Sequence, residues 1–158
     1  GDHRDLHYPL RRQRQMCIRD RLKRWVENSG LSSQIIFLGK VGELSALFKV
    51  LNILVLPSTL EGLGYSILEA QANEVPVVAC GVGGITEIVS DKDTGILVKP
   101  GSAEDLYRGI KLILQDHALR AEIVRNAKKQ IEEKFSLDRM VSLTESVYKE
   151  ALRKRSAK

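Results

Sequence analysis

The chain has 158 residues, 43% of them hydrophobic and 28% charged, with a net charge of +5 and two cysteines. That length suits one globular domain and leaves little room for two. No apolar run approaches the ~20 residues that a bilayer-spanning helix needs, and two cysteines do not make a disulfide framework.

Residues 1–21 fit nothing that follows them. Arg11-Arg12-Gln13-Arg14-Gln15-Met16-Cys17-Ile18-Arg19-Asp20-Arg21 resembles the translation of a transposon-type sequencing adapter. Gly1-Asp2-His3-Arg4-Asp5-Leu6-His7 resembles the end of a flow-cell adapter in the same frame. The resemblance implies that residues 1–21 derive from adapter DNA and are irregular, and that residues 22–158 are a truncated domain. The alternative is a basic arm that binds nucleic acid. This segment holds six arginines and three aspartates, so the net charge falls from +5 to +2 over residues 22–158. Nucleic-acid binding then loses its compositional support, because no concentrated basic stripe or interleaved aromatics remain. Cys80 is the one cysteine left, in an apolar run, where a thiol behaves as a small hydrophobe in a reducing compartment.

From Leu22 onward, helical and strand-like stretches alternate. Residues 22–28 read as a helix end terminated by Gly30, with Trp25 as a packing residue. Residues 34–39 form an expected short buried strand. Residues 43–51 put Leu44, Leu47, Phe48 and Leu51 on one helical face. Ile53-Leu54-Val55-Leu56 is apolar without alternation, as in a parallel strand covered on both faces. Residues 65–72 continue as a helix. Asn73-Glu74 is a turn into a strand at residues 75–79, Gly81 to Gly84 opens a helix at 85–90, and residues 95–98 make a last strand. Ser102 caps a helix whose apolar face is Leu106, Ile110, Ile113 and Leu114. A second helix carries Leu119, Ile123, Ala127 and Ile131. A third, capped by Ser136, carries Leu137, Val141, Thr144, Val147, Tyr148 and Leu152. His117, beside Asp116 at a helix start, reads as a capping or surface residue. Strands alternating with helices predict an α/β fold with a doubly wound parallel sheet.

Chemistry concentrates between Pro57 and Ala70. A strand, a glycine loop at Gly62-Leu63-Gly64 and a helix follow one another there, and such a loop offers free amides at a helix N-terminus, where phosphate binds well. Glu61 and Glu69 flank it. Carboxylates repel a bare phosphate but accept hydrogen bonds from hydroxyls, so the pair points to a ligand carrying both, as a nucleotide sugar does. The later glycines, Gly81 to Gly84, do not make a dinucleotide fingerprint. The third glycine of that pattern would fall on Thr86, and this is not the first strand-to-helix turn.

The run Glu61-Gly62-Leu63-Gly64-Tyr65-Ser66-Ile67-Leu68-Glu69-Ala70 resembles the Glu-x7-Glu motif of retaining glycosyltransferases with the GT-B fold, in the large family numbered four. Pro76-Val77-Val78-Ala79-Cys80, then Gly83-Gly84-Ile85-Thr86-Glu87-Ile88-Val89, then Thr94-Gly95-Ile96-Leu97-Val98 resemble its next landmarks in order, and the similarity runs from about Leu22 to Leu152. It implies a Rossmann-like C-terminal half of a GT-B fold that is incomplete, lacking the Gly-Arg and Lys phosphate clamp, two strands and the acceptor domain.

By motif position, Glu61 would be the catalytic-site carboxylate on the donor-sugar hydroxyls. Gly62, Leu63, Gly64 and Tyr65 would offer amides to sugar and phosphate, and Glu69 would hold the ribose. Lys40 and Val41 would lie near the base, Lys40 having a solvated loop lysine as its alternative, and Gly83 and Gly84 would line the sugar pocket. The resemblance further implies a nucleotide-sugar substrate, no metal or other cofactor, no nucleic acid, an acceptor bound mainly by another domain, and a cytoplasmic location with membrane attachment left open. Two other readings stay beside it: an epimerase-like enzyme acting on nucleotide sugars, and a non-catalytic nucleotide-sugar-binding module. The fragment alone is expected to be poorly stable and inactive.

Overall fold

A computed structural model describes residues 7–156, which fall into two compact units divided between Gly42 and Glu43. In the first unit, helix α1 spans His7–Asn28. The expected irregular course of residues 1–21 is therefore not found from His7 onward; residues 1–6 lie outside the description. The reason is local. Arg, Gln, Leu and Met are good helix formers, and Pro9 sits in the first turn, where its missing N–H costs nothing. Gly30 ends the helix as expected. It adopts φ +69°, its amide donates to the Glu27 carbonyl (3.1 Å), and that of Leu31 donates to the Val26 carbonyl (3.1 Å), closing the last turn.

Two expectations in this unit fail. Trp25 is 59% exposed, while its neighbour Val26, about 100° around the helix, is the buried one. Residues 34–39 form no strand: the amides of Gln34 and Ile35 turn back to the Leu31 carbonyl, and Ile36 is 81% exposed. A strand needs a neighbour for its N–H and C=O groups, and the described sheet has three strands, none of them from this segment.

The second unit is the α/β body. Its elements are α2 (Leu44–Phe48), β1 (Leu54–Leu56), α3 (Tyr65–Ala72), β2 (Val77–Cys80), α4 (Ile85–Ile88), β3 (Ile96–Val98), α5 (Ala103–Gln115), α6 (His117–Lys134) and α7 (Leu137–Ser156). The strands are parallel in the order β1-β2-β3, with Val55 opposite Val78 and Ala79 opposite Leu97. Successive side chains of β2 face opposite ways. Val77 and Ala79 join Phe48, Ile67 and Ile85 on one face; Val78 joins Ile96, Ile113 and Ile123 on the other. Helices thus cover both faces, and every residue of β2 is buried.

Strand β1 is only half-buried, against the expectation of full cover, because it is an edge of this sheet. Helix α4 stops at Ile88, earlier than expected, because the Ser90 amide donates to Thr94 Oγ1 (2.9 Å) instead of extending the helix. The inward face of α5 also differs. Leu114 is 45% exposed, whereas Leu112 packs inward. Gly109 is buried against Val78, Val98 and Ile96, which brings the helix backbone down onto the sheet and turns the face toward Leu112.

Candidate functional site

Parallel strands end on the same edge of the sheet, so the loops after β1 and β2 lie side by side, at the edge where open α/β sheets receive ligands. The first loop, residues 57–64, runs from β1 into α3. Gly64 makes the entry. With φ +72°, a left-handed conformation that glycine adopts freely, it turns the chain so that its own carbonyl accepts from the Ile67 amide at 2.8 Å. Among the described residues no backbone carbonyl accepts from the amides of Gly62, Leu63, Gly64, Tyr65 or Ser66. Five amides in a row are thus left without a backbone acceptor at a helix start with no side-chain cap.

Glu61 stands half-buried at the head of this loop, and its Oε2 accepts from Ser58 Oγ at 3.3 Å. Glu69 is exposed, one turn into α3 beyond Tyr65, which is itself 72% exposed. Ser58 was not singled out in the sequence, because its bond to Glu61 depends on the course of the loop after β1 and on no local motif.

The second loop, residues 81–84, lies directly against the first. A Cβ on Gly83 would collide with the carbonyl oxygen of Glu61, and one on Gly84 with that of Gly62. Thr86 Oγ1 donates to the Gly83 carbonyl at 3.0 Å. The fold thus gathers Glu61, Gly62, Leu63, Gly64, Tyr65, Gly83 and Gly84 at one sheet edge, with Glu69 one turn further along α3. Lys40, exposed, and Val41, half-buried, belong to the first unit. A separate groove of about 310 Å³ runs along β3 and α5, past Lys92, Lys99 and Arg108. Among the described residues, no three His, Cys, Asp or Glu side chains converge as a metal site requires, and no helix is long and apolar enough to cross a membrane.

A three-stranded parallel sheet with helices on both faces and a free-amide loop at its carboxyl edge defines a Rossmann-like α/β domain of the GT-B glycosyltransferase kind. The pattern of the family "Glycosyl transferases group 1" matches residues 18–130, and the chain belongs to that family. An uncharacterized glycosyltransferase of Methanocaldococcus jannaschii is 37% identical over 137 residues, which make up 85% of this chain and 35% of that protein. The crystal structure of the C-terminal domain of a glycosyl transferase group 1 family protein (LpcC) from Francisella tularensis superposes with a TM-score of 0.71 at 30% identity, over 78% of this chain and 65% of that one. Anabaena HepE in complex with UDP-glucose gives a TM-score of 0.77 at 26% identity, over 82% of this chain and 36% of that one. The chain spans about a third of the length of the curated relatives it matches.

Proposed function

We propose that this chain is the donor-binding part of a retaining glycosyltransferase that takes a nucleotide sugar as donor. The observation that carries the reading is the run of free amides at Gly62 to Ser66 between two carboxylates, Glu61 and Glu69. Phosphate oxygens take the amides, and hydroxyls take the carboxylates. The similarity to Anabaena HepE, a protein described with UDP-glucose, supports the same ligand class.

In this reading Glu61 is the catalytic-site residue and accepts from hydroxyls of the donor sugar, oriented in turn by Ser58. The amides of Gly62, Leu63, Gly64 and Tyr65 contact sugar and phosphate, and Glu69 holds the ribose hydroxyls. Gly83 and Gly84 stand beside the sugar. As the bond from sugar to phosphate breaks, negative charge grows on the leaving phosphate, and fixed amide donors stabilise that charge more than they stabilise the ground state. The acceptor, a glycan, lipid or small molecule, is held by a part of a longer protein; residues 1–158 alone bind donor without transferring sugar. No metal or other cofactor is assigned, and the location is cytoplasmic.

Titration of the chain with UDP and with UDP-glucose, followed by amide NMR, tests the proposal. Both ligands are expected to shift Gly62 to Ser66. Glu69→Ala should weaken both ligands, because both carry the ribose. Glu61→Ala should weaken UDP-glucose and leave UDP nearly unchanged, because only the sugar touches it. Loss of both ligands equally in Glu61→Ala, or no shift in the parent chain, overturns the assignment.

A further inference from the structure

Gly84 has no conformational reason to be glycine. Its φ of −67° and ψ of −8° are right-handed helical values that any residue adopts. What excludes a side chain is the other loop: a Cβ on Gly84 would collide with the Gly62 carbonyl oxygen and come within 3.1 Å of Leu63 Cα, both of them backbone. Gly83 adds a second contact of the same kind, with the Glu61 carbonyl oxygen, and its φ of +51° makes glycine doubly required. Gly62 itself has open space around its missing side chain, with nothing within 4 Å. The closeness is therefore dictated from the side of the 81–84 turn. Backbone obstacles cannot rotate away as a flexible side chain can.

From these contacts we infer that Gly83 and Gly84 are positioning residues: the 81–84 turn packs against the Glu61 and Gly62 carbonyls and holds the 61–64 loop with its amides free for the donor. This inference rests on the proposed donor-binding role of the loop but adds a cause for its shape. The turn packs closely against the carbonyls of Glu61 and Gly62 without a backbone hydrogen bond to either, and the amides of Gly62 to Ser66 are left without backbone acceptors. The turn is itself held by Thr86 Oγ1, which donates to the Gly83 carbonyl, and by the Ile85 amide, which donates to the Val82 carbonyl at 3.1 Å. A side chain at position 84 must push the loop outward. Displacing contact groups by about 1 Å costs on the order of a hundredfold where geometry is critical.

The test compares Gly84→Ala with Ile123→Val, a mild truncation in the cluster on the opposite face of the sheet. In ligand-free chain, Gly84→Ala should move the amide resonances of Glu61 to Gly64, and Ile123→Val should leave them in place even where it lowers the melting temperature. Affinity for UDP should fall about tenfold or more in Gly84→Ala and stay within about twofold in Ile123→Val. Thr86→Val, an exposed change that removes only the hydroxyl bond to Gly83, serves if Gly84→Ala does not fold; it should shift the same loop resonances. Loop resonances unmoved in a folded Gly84→Ala, or in Thr86→Val where Gly84→Ala does not fold, overturn the inference. If the parent chain fails to bind UDP, the donor-binding reading falls, while the ligand-free resonances still decide the role of the turn.

Discussion

Gln71 Nε2 donates to the Thr94 carbonyl at 2.9 Å, joining α3 to the turn before β3 across 23 residues of sequence. Both residues are buried, at 1% and 2% exposure. Gln71 sits on the same helix as Glu69, so this bond fixes one end of the element that carries the candidate site. Gln71→Leu keeps the side chain's bulk and removes the donor, leaving the Thr94 carbonyl buried without this partner. The substitution also removes Gln71 Oε1, which is buried without a partner among the described residues, so the expected net loss is about 1 kcal/mol, read as a lower urea midpoint with an unchanged slope. An unchanged midpoint would mean that relief of the unpaired oxygen balances the lost bond.

The bond between Gln71 and Thr94 could not be read from the sequence, whereas the helix that carries it could. Tyr65–Ala72 follows from apolar spacing and a glycine entry, both local signals. The strands at β1, β2 and β3 were legible for the same reason: short runs of Val, Ile and Leu bounded by Gly and Pro. Residues 34–39 show where that logic stops. They have the composition of a strand, but strand formation is a property of a pair, and this segment has no partner among the described residues. Trp25 and Leu114 fail for a related reason, since periodicity gives the spacing of a face but not what covers it. At the site, Glu61, Glu69 and the glycines were found by pattern. The packing of Gly84 under Gly62 was not, because residues 22 apart meet only through the sheet.

The caps of α5 and α6 are individually testable. Ser102 Oγ accepts from the Asp105 amide at 3.1 Å, and Asp116 Oδ1 accepts from the Leu119 amide at 2.9 Å. Each satisfies one of the amides a helix start leaves open. Ser102→Ala and Asp116→Ala should each cost about 1 kcal/mol, and replacement by glycine only a few tenths. Thermal unfolding of the alanine and glycine pairs checks this. Equal losses for alanine and glycine would argue against the caps.

Glu74 combines strain with charge. Its φ is +61°, in the left-handed region, and its carboxylate pairs with Lys128 of α6. The hydrogen bond and charge of Glu74 raise the Lys128 pKa. A raised lysine pKa contributes stability that is present below the unfolded-state value and is lost as pH climbs through the folded one, so this contribution should vanish only at strongly alkaline pH. Glu74→Gln should therefore remove a small, salt-sensitive increment at neutral pH and none above the lysine range. Glu74→Gly loses the same exposed pair but relieves the backbone. Net stabilisation of up to about 1 kcal/mol is expected, and denaturant melts of the two variants at neutral pH separate the effects.

Among the described residues, helix α7 has an apolar side that is largely exposed. Leu137, Val141, Val147, Tyr148 and Leu152 are 54–70% exposed, unlike Ile113 and Ile123 on the preceding helices, which are fully buried. Burial decides what each side chain contributes to folding. Val147→Lys should change stability by less than about 0.5 kcal/mol, whereas Ile123→Ala should cost about 2–5 kcal/mol. The lysine should instead act on association, since exposed apolar surface draws copies of the chain together. Light scattering at rising concentration would then show less self-association in Val147→Lys than in the parent chain, at an unchanged melting temperature. A large drop in melting temperature would show instead that α7 packs against the body through Val147.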